Sequence, residues 1–88
     1  MTPDAWTIRI HRNALQALYR LPRGEAAAAS DLIAALQTEP IPEGAQPREP
    51  GSRVYRYAGA GYQVIFEIDD LERIIRVLGI RQTGEGEE

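Results

Sequence analysis

Cysteine and lysine are both absent from this chain of 88 residues. Without cysteine, disulfide scaffolds and zinc sites built from thiolates are excluded. Secreted domains of this size usually depend on disulfides, so we expect a cytoplasmic protein. Residues 1–4 show neither the basic nor the apolar region of a signal peptide. No apolar run approaches the roughly 20 residues of a membrane span, so no membrane association is expected.

The basic side chains are all arginines, 10 in number, and 13 aspartates and glutamates outnumber them. The resulting net charge is −3 and the isoelectric point is about 5.1. A domain that binds nucleic acid through general basicity usually has an isoelectric point above about 9, so this class is disfavoured. Three acidic residues close to the C-terminus, Glu85, Glu87 and Glu88, account for the whole net charge. A local cluster of arginines elsewhere in the chain remains able to bind a phosphate.

Hydrophobic periodicity predicts the secondary structure. Alternating apolar and polar residues indicate a strand over residues 5–10. Apolar residues at helical spacing indicate one helix over residues 12–21 and a second over residues 24–37. The proline-rich segment 38–50 is typical of an extended linker. Alternation then returns in three further strands, over residues 52–58, 62–69 and 73–80.

A chain of this length has room for one domain with a single core. We predict an α+β fold with an N-terminal strand, an antiparallel helix hairpin and a three-stranded antiparallel meander, the helices packing on one antiparallel sheet of three or four strands. The domain should span residues 1–81, and residues 82–88 should form an acidic flexible tail. The strand over residues 73–80 is apolar on both sides, so its facing stays open. The core side of the preceding strand should carry Tyr62, Val64, Phe66 and Ile68.

No strong local motif for catalysis is present. His11 is the single histidine, and without a nucleophile or further metal ligands it is interpreted as a solvated or helix-capping residue. Asn13 is a plausible cap for the first helix. Asp69 and Asp70 stand at a predicted turn, where aspartate is favoured for local hydrogen bonds. The sequence therefore predicts no metal site.

Arginines are frequent in the C-terminal half, which contains Arg48, Arg53, Arg56, Arg73, Arg76 and Arg81. Arg56 should project from the middle of the sheet into solvent if Tyr55 and Tyr57 contribute to the core. Two interpretations stay open. Guanidinium groups bind phosphate in a bidentate fork and keep their charge at any relevant pH. Alternatively, these arginines form surface ion pairs with Glu49, Glu67 and Glu72.

Four short segments follow one another in a distinctive order. They are ALQALYRLP at residues 14–22, VYRY at 54–57, GYQVIFEID at 61–69 and IRVLGI at 75–80. In this order and spacing they resemble segments of the RelE/ParE family of toxins from type II toxin–antitoxin systems. The family's counterparts are a first helix ending in LP, then YRYR or YRIR, GDYRVIYEID and ITVLRIGHR. The resemblance covers nearly the whole chain up to Arg81.

The resemblance implies one of two toxic activities. RelE-like members are ribosome-dependent mRNA endonucleases that need no metal or other cofactor. In them a ribose 2′-OH attacks the adjacent phosphate, which requires a base, an acid and cations. ParE-like members share the fold and poison DNA gyrase. For RNA cleavage we expect Arg56, Arg81 and Arg53 as catalytic residues, and Arg48, Arg53 and Arg56 as RNA- or phosphate-binding residues. Of these, Arg56 and Arg81 are implied by the resemblance, and Arg48 and Arg53 come from the arginines of the C-terminal half.

The resemblance also implies a cognate protein antitoxin, which in this family wraps the toxin with a helix and an extended segment, and a role in plasmid stabilisation. Candidate docking surfaces are the helix hairpin and the apolar face of the last strand. Ala58 and Gln63 stand where the family has basic residues, and the family's C-terminal tyrosine has no counterpart. Three functions stay open: an mRNA endonuclease acting on the ribosome with an incomplete catalytic set, a non-enzymatic gyrase inhibitor, or a degenerate homologue that only binds its antitoxin.

Overall fold

Two helices and five strands form the fold in a computed structural model, which describes residues 5–83. The predicted α+β order of an N-terminal strand, a helix hairpin and a three-stranded meander is confirmed. Of the predicted tail, Gln82 belongs to the last strand, and residues 84–88 lie outside the described residues. In chain order the elements are β1 (Thr7–Ile10), α1 (Arg12–Arg20), α2 (Arg23–Ala35), β2 (Gln46–Pro47), β3 (Val54–Ala58), β4 (Tyr62–Asp69) and β5 (Ile74–Gln82).

The five strands make one sheet in the order β1-β5-β4-β3-β2. β3, β4 and β5 are antiparallel neighbours, as the short turns between them require. The expectation of a purely antiparallel sheet is wrong for β1, which pairs in parallel with β5 from Thr7↔Ile74 to Ile10↔Val77. A parallel pair needs a long connection, and the helices and the rest of the sheet supply it.

The proline-rich linker contains a strand that the sequence does not predict. β2 pairs antiparallel with β3 at the edge of the sheet, where Pro47 stands opposite Tyr55. Proline is tolerated there because an edge strand uses the backbone groups of only one side. Directly after β2, the N–H of Arg48 donates to the carbonyl oxygen of Val54 at 2.9 Å. The linker therefore holds Arg48 against the sheet.

α1 and α2 cover one face of the sheet, and the core lies between them and the central strands. Pro22 prevents α1 from continuing and is the N-cap of α2. The predicted facing of β4 is confirmed, because its four core residues are at most 5 % exposed. Neither helix of residues 5–83 has the length and apolar character to cross a bilayer. The largest fully buried side chains are Phe66, Leu36, Ile75, Val64 and Val77.

His11 caps α1, which confirms its predicted capping role. Its Nδ1 accepts a hydrogen bond from the backbone N–H of Asn13 at 3.2 Å. The prediction that the side chain of Asn13 forms the cap is wrong. A capping side chain must precede the first turn to reach the free N–H groups of the helix, and His11 occupies that position.

A β-bulge decides the facing of β5. The pairing register between β4 and β5 shifts between Ile65 and Phe66, which leaves Leu78 as an extra residue. Val77 points to the core before the bulge, and Ile80 points to the core after it. The sequence of β5 is apolar at both odd and even positions because the bulge changes which of them face the core. Apart from Leu78 its large apolar residues face inward or are half-buried, so the expected docking surface on an apolar face of β5 is wrong.

Candidate functional site

Three arginines surround a pocket on the open face of the sheet, which the helices leave uncovered. Arg48 beside β2, Arg56 in β3 and Arg81 in β5 line this arginine pocket, and all three are exposed. Like charges at short range repel, so this arrangement favours a bound anion. The pocket has a volume of about 410 Å³ and is completed by Pro47, Gln63 and Ile65.

Strand register brings Arg56 and Arg81 together across β4. Arg56 stands opposite Ile65 and Arg81 opposite Gln63, so two β4 side chains form the floor between them. In a regular strand, residue 81 would share the inward facing of Val77, and the bulge reverses this. The sequence predicted both arginines but not Gln63 and Ile65, which lie between them. The signal that could have identified these two residues is the alternation of β4, in which the residues between the core positions point to the open face.

The arginines of the pocket form no ion pair within residues 5–83. On the same face, Nη1 of Arg76 lies 3.2 Å from Oδ2 of Asp69 and 3.7 Å from Oε1 of Glu67. A hydrogen bond from the backbone N–H of Glu72, and then the Arg76 guanidinium, lower the pKa of Asp69. The alternative of surface ion pairs therefore applies to Arg76, and the arginine pocket keeps its positive charge.

Arg53 lies apart from the arginine pocket. It lines a separate cleft near the turn between β4 and β5, together with Tyr55, Ile68 and Asp70. Side chains two residues apart in an extended segment point to the same side of the sheet. Arg53 therefore points to the same side as Tyr55, which packs against the core. The structure thus brings the other three predicted arginines together and leaves Arg53 out.

No group in the lining of the arginine pocket, as far as residues 5–83 show, exchanges protons near neutral pH. Its polar lining consists of guanidinium groups and the amide of Gln63, and arginine stays protonated at physiological pH. His11 caps α1 and does not line the pocket. The described residues also hold no cluster of three or more acidic or histidine side chains suited to a metal ion. The described lining of the pocket can bind an anion and stabilise negative charge.

Comparison of the sequence with models of protein families identifies the family of this chain. The model of the family described as the ParE toxin of type II toxin–antitoxin systems, parDE, matches residues 8–86. The chain belongs to the ParE toxin family. It is therefore a toxin of the RelE/ParE superfamily, as the sequence resemblance predicted. No curated protein matches its sequence significantly.

Solved RelE structures share the fold of this ParE-family chain. The toxin–antitoxin complex RelBE2 from Mycobacterium tuberculosis matches with a TM-score of 0.76 at 22% identity, covering 90% of this chain and 99% of that chain. The RelE–RelB complex from Pyrococcus horikoshii matches with 0.77 at 21%, covering 92% and 98%. The isolated E. coli RelE toxin matches with 0.78 at 14%, covering 92% and 87%. Two of these structures are complexes of the toxin with its antitoxin.

Proposed function

We propose that this ParE-family toxin inhibits DNA gyrase by binding and does not cleave RNA. The observation that carries this proposal is the lining of the arginine pocket, whose polar groups, as far as the structure describes them, are three guanidinium groups and one amide. Attack by a ribose 2′-OH requires one proton to be removed and another to be delivered to the leaving oxygen. Binding an anionic group requires only charge and hydrogen-bond donors, which the pocket has.

The family match and the charge distribution support the same choice. Resemblance to ParE-like members implies gyrase as the target. The net charge of −3 opposes long-range attraction to nucleic acid. Within a Debye length, about 10 Å at 0.1 M salt, the arginine pocket is nevertheless positive. We therefore expect a carboxylate or phosphate that gyrase, or DNA bound to gyrase, presents at close range, and we expect the toxin to act in the cytoplasm.

A ribosome-dependent mRNA endonuclease is the second candidate. One observation favours it, because Arg56 and Arg81, which the resemblance implies as catalytic, line the same pocket. Two cations can stabilise the charge that develops on an attacked phosphate, and fixing the 2′-OH in line adds further rate. In this case the ribosome or the RNA must supply the acid and the base, since residues 5–83 provide none at the pocket.

Gyrase supercoiling and cell-free bacterial translation test both candidates with the same proteins. We expect the wild-type protein to inhibit supercoiling and to leave mRNA 5′ ends unchanged. Arg56→Gln should weaken inhibition by about 10- to 150-fold, because a hydrogen bond to a charged group is worth about 1.5–3 kcal/mol. Arg23→Gln removes an exposed arginine at the start of α2 and should leave inhibition unchanged. Arg53→Gln should behave like this control, because Arg53 lies outside the pocket.

Each alternative has its own outcome in this experiment. Site-specific cuts that require ribosomes and disappear in Arg56→Gln would establish the endonuclease and refute inhibition by binding alone. Intact mRNA together with fully active gyrase would refute both candidates and leave a homologue that only binds its antitoxin. A loss of activity in Arg53→Gln equal to that in Arg56→Gln would show that the functional site extends beyond the arginine pocket.

A further inference from the structure

A second groove lies between α1 and the C-terminal part of β5, with a volume of about 320 Å³. This volume falls at the lower end of the range for small-molecule sites, about 300–1,000 Å³. The α1–β5 groove shares only Arg81 with the arginine pocket, and its other lining residues take no part in that pocket. It is therefore a separate place at which a small ligand can bind.

The most buried residues that line the α1–β5 groove are apolar. Leu21 is 8 % exposed, Ile80 is 6 % exposed, and Ala17 is half-buried. They form a small apolar floor where α1 packs on β5. A flat apolar ring that covers this floor removes apolar surface from water, which favours binding.

Three side-chain amides surround this floor. Asn13 and Gln16 come from α1, and Gln82 comes from β5. Within residues 5–83, none of these amides forms a hydrogen bond with another protein group. Each amide both donates and accepts, so it matches a ligand edge that carries a donor beside an acceptor. Adenine has such an edge, where asparagine or glutamine bonds to its N6 and N7 together.

The α1–β5 groove also carries positive charge. Arg20 and Arg81 line it, and both are exposed and without an ion pair within the described residues. No carboxylate of residues 5–83 belongs to the lining. Arg20 lies seven residues after Asn13, which is about 10 Å along a helix axis. A ligand that uses the whole groove is therefore anionic at one end and has a neutral polar edge at the other.

We propose that the α1–β5 groove binds an adenine nucleotide. The base covers the apolar floor, and its polar edge bonds to the amides of Gln16 and Gln82. The phosphate accepts hydrogen bonds from the guanidinium groups of Arg20 and Arg81. This site is additional to the proposed inhibition of gyrase and does not depend on it.

Simpler anions fit the lining less well. Inorganic phosphate would bond to the two arginines and leave the amides and the apolar floor without a partner. A sugar phosphate would place hydroxyl groups on the apolar floor, where they lose hydrogen bonds to water. An adenine nucleotide satisfies the arginines, the amides and the floor with one molecule.

An NMR titration of the full chain with four ligands tests the proposal. AMP should shift the side-chain amide signals of Gln16 and Gln82, with a dissociation constant below about 1 mM. Adenosine lacks the charge and ribose 5-phosphate lacks the base, so each should bind at least roughly 10-fold more weakly than AMP. GMP should bind about 5-fold more weakly than AMP, because its O6 and N7 both accept.

A nucleotide within a DNA strand presents the same base and phosphate as free AMP. A single-stranded tetramer of deoxyadenosine nucleotides distinguishes these two sources. Binding of the tetramer about 10-fold more tightly than AMP, with shifts at the same residues, would assign the site to a strand. Equal or weaker binding of the tetramer would assign it to the free nucleotide. Either result supports a nucleotide site in the α1–β5 groove.

Three variants at exposed positions of α1 separate recognition of the base from recognition of the phosphate. Gln16→Leu should weaken AMP binding about 5-fold and leave ribose 5-phosphate unchanged, because only the base edge loses a partner. Arg20→Gln should weaken both AMP and ribose 5-phosphate about 2- to 5-fold, as expected for an exposed ion pair, and leave adenosine unchanged. Arg12→Gln makes the same change on the same helix outside the groove and should have no effect.

Several outcomes would overturn the proposal. Equal affinity for AMP and ribose 5-phosphate would remove the base from the site, and equal affinity for AMP and GMP would remove the choice of adenine. Shifts confined to Gln63 and Ile65 would place the nucleotide in the arginine pocket. An effect of Arg12→Gln as large as that of Arg20→Gln would leave only general attraction by charge. Gyrase inhibition without AMP binding would refute the present proposal alone, and AMP binding without gyrase inhibition would refute the proposed function alone.

Discussion

Two glycines of the sheet region offer a matched test of the packing, because the same substitution meets opposite surroundings. A Cβ added at Gly59, before the turn that leads into β4, would overlap the ring of Tyr62. Tyr62 is only 5 % exposed and stacks on Tyr57 with ring centroids 6.4 Å apart, so its ring has little room to yield. A Cβ added at Gly79 in β5 meets nothing within 4 Å. Neither glycine has a positive φ, so the backbone does not bias the comparison.

The expected effects have opposite signs. Gly59→Ala should destabilise the domain by about 1–3 kcal/mol, the range for overpacking a well-filled site. Gly79→Ala should be neutral or stabilising by up to about 1 kcal/mol, because glycine inside a strand costs conformational entropy. In a domain of this size each kcal/mol shifts the melting temperature by about 4–8 °C. Thermal unfolding followed by the fluorescence of Trp6, the only tryptophan, measures both variants.

The comparison refutes the reasoning if the melting temperatures of the two variants agree within about 2 °C, which corresponds to less than about 0.5 kcal/mol. It would then follow that the Tyr62 ring moves at little cost and that the turn before β4 is loosely packed. Urea unfolding provides the second measurement. An unchanged urea dependence of the unfolding free energy in both variants confirms that native stability, and not the denatured state, has changed.

Three further predictions concern stability. Phe66→Ala should cost about 3–5 kcal/mol in urea unfolding, because this side chain is fully buried and stacked on Tyr55. His11→Ala should cost about 0.5–1 kcal/mol through loss of the cap, whereas His11→Ser should restore most of it. The pKa of Asp69 is lowered in the folded state, so its contribution is present above its unfolded pKa of about 3.9 and is lost as pH falls further. Asp69→Asn should flatten the fall in stability below about pH 4, and an unchanged acid transition would contradict this.

Local signals predicted most of the fold. The alternation of Tyr62, Val64, Phe66 and Ile68 assigned both the bounds and the facing of β4. Pro22 fixed the boundary between the two helices within two residues, because proline cannot continue a helix. These signals are sufficient where an element packs one regular face against the core. Its apolar residues then recur in the sequence with the period of the helix or strand itself.

Non-local pairing decided what the sequence could not show. The parallel pairing of β1 with β5 depends on where the whole chain returns, and the short strand β2 exists only because β3 offers an edge. The arginine pocket has the same origin. Arg48 lines it because β2 pairs with β3 and holds the linker against the sheet. Arg53 is nearer to Arg56 in sequence but points to the other side of the sheet and lines a separate cleft. Spacing in the sequence therefore nominated arginines but could not show which of them share a pocket.

The bulge at Leu78 connects the core and the arginine pocket. Without the extra residue, the alternation that buries Val77 would turn residue 81 inward and Ile80 outward. The register shift exchanges these two facings, so an apolar residue completes the core while Arg81 reaches the open face. One local irregularity therefore gives Arg81 its place in the arginine pocket, and changes at this bulge should affect both the packing of the core and anion binding.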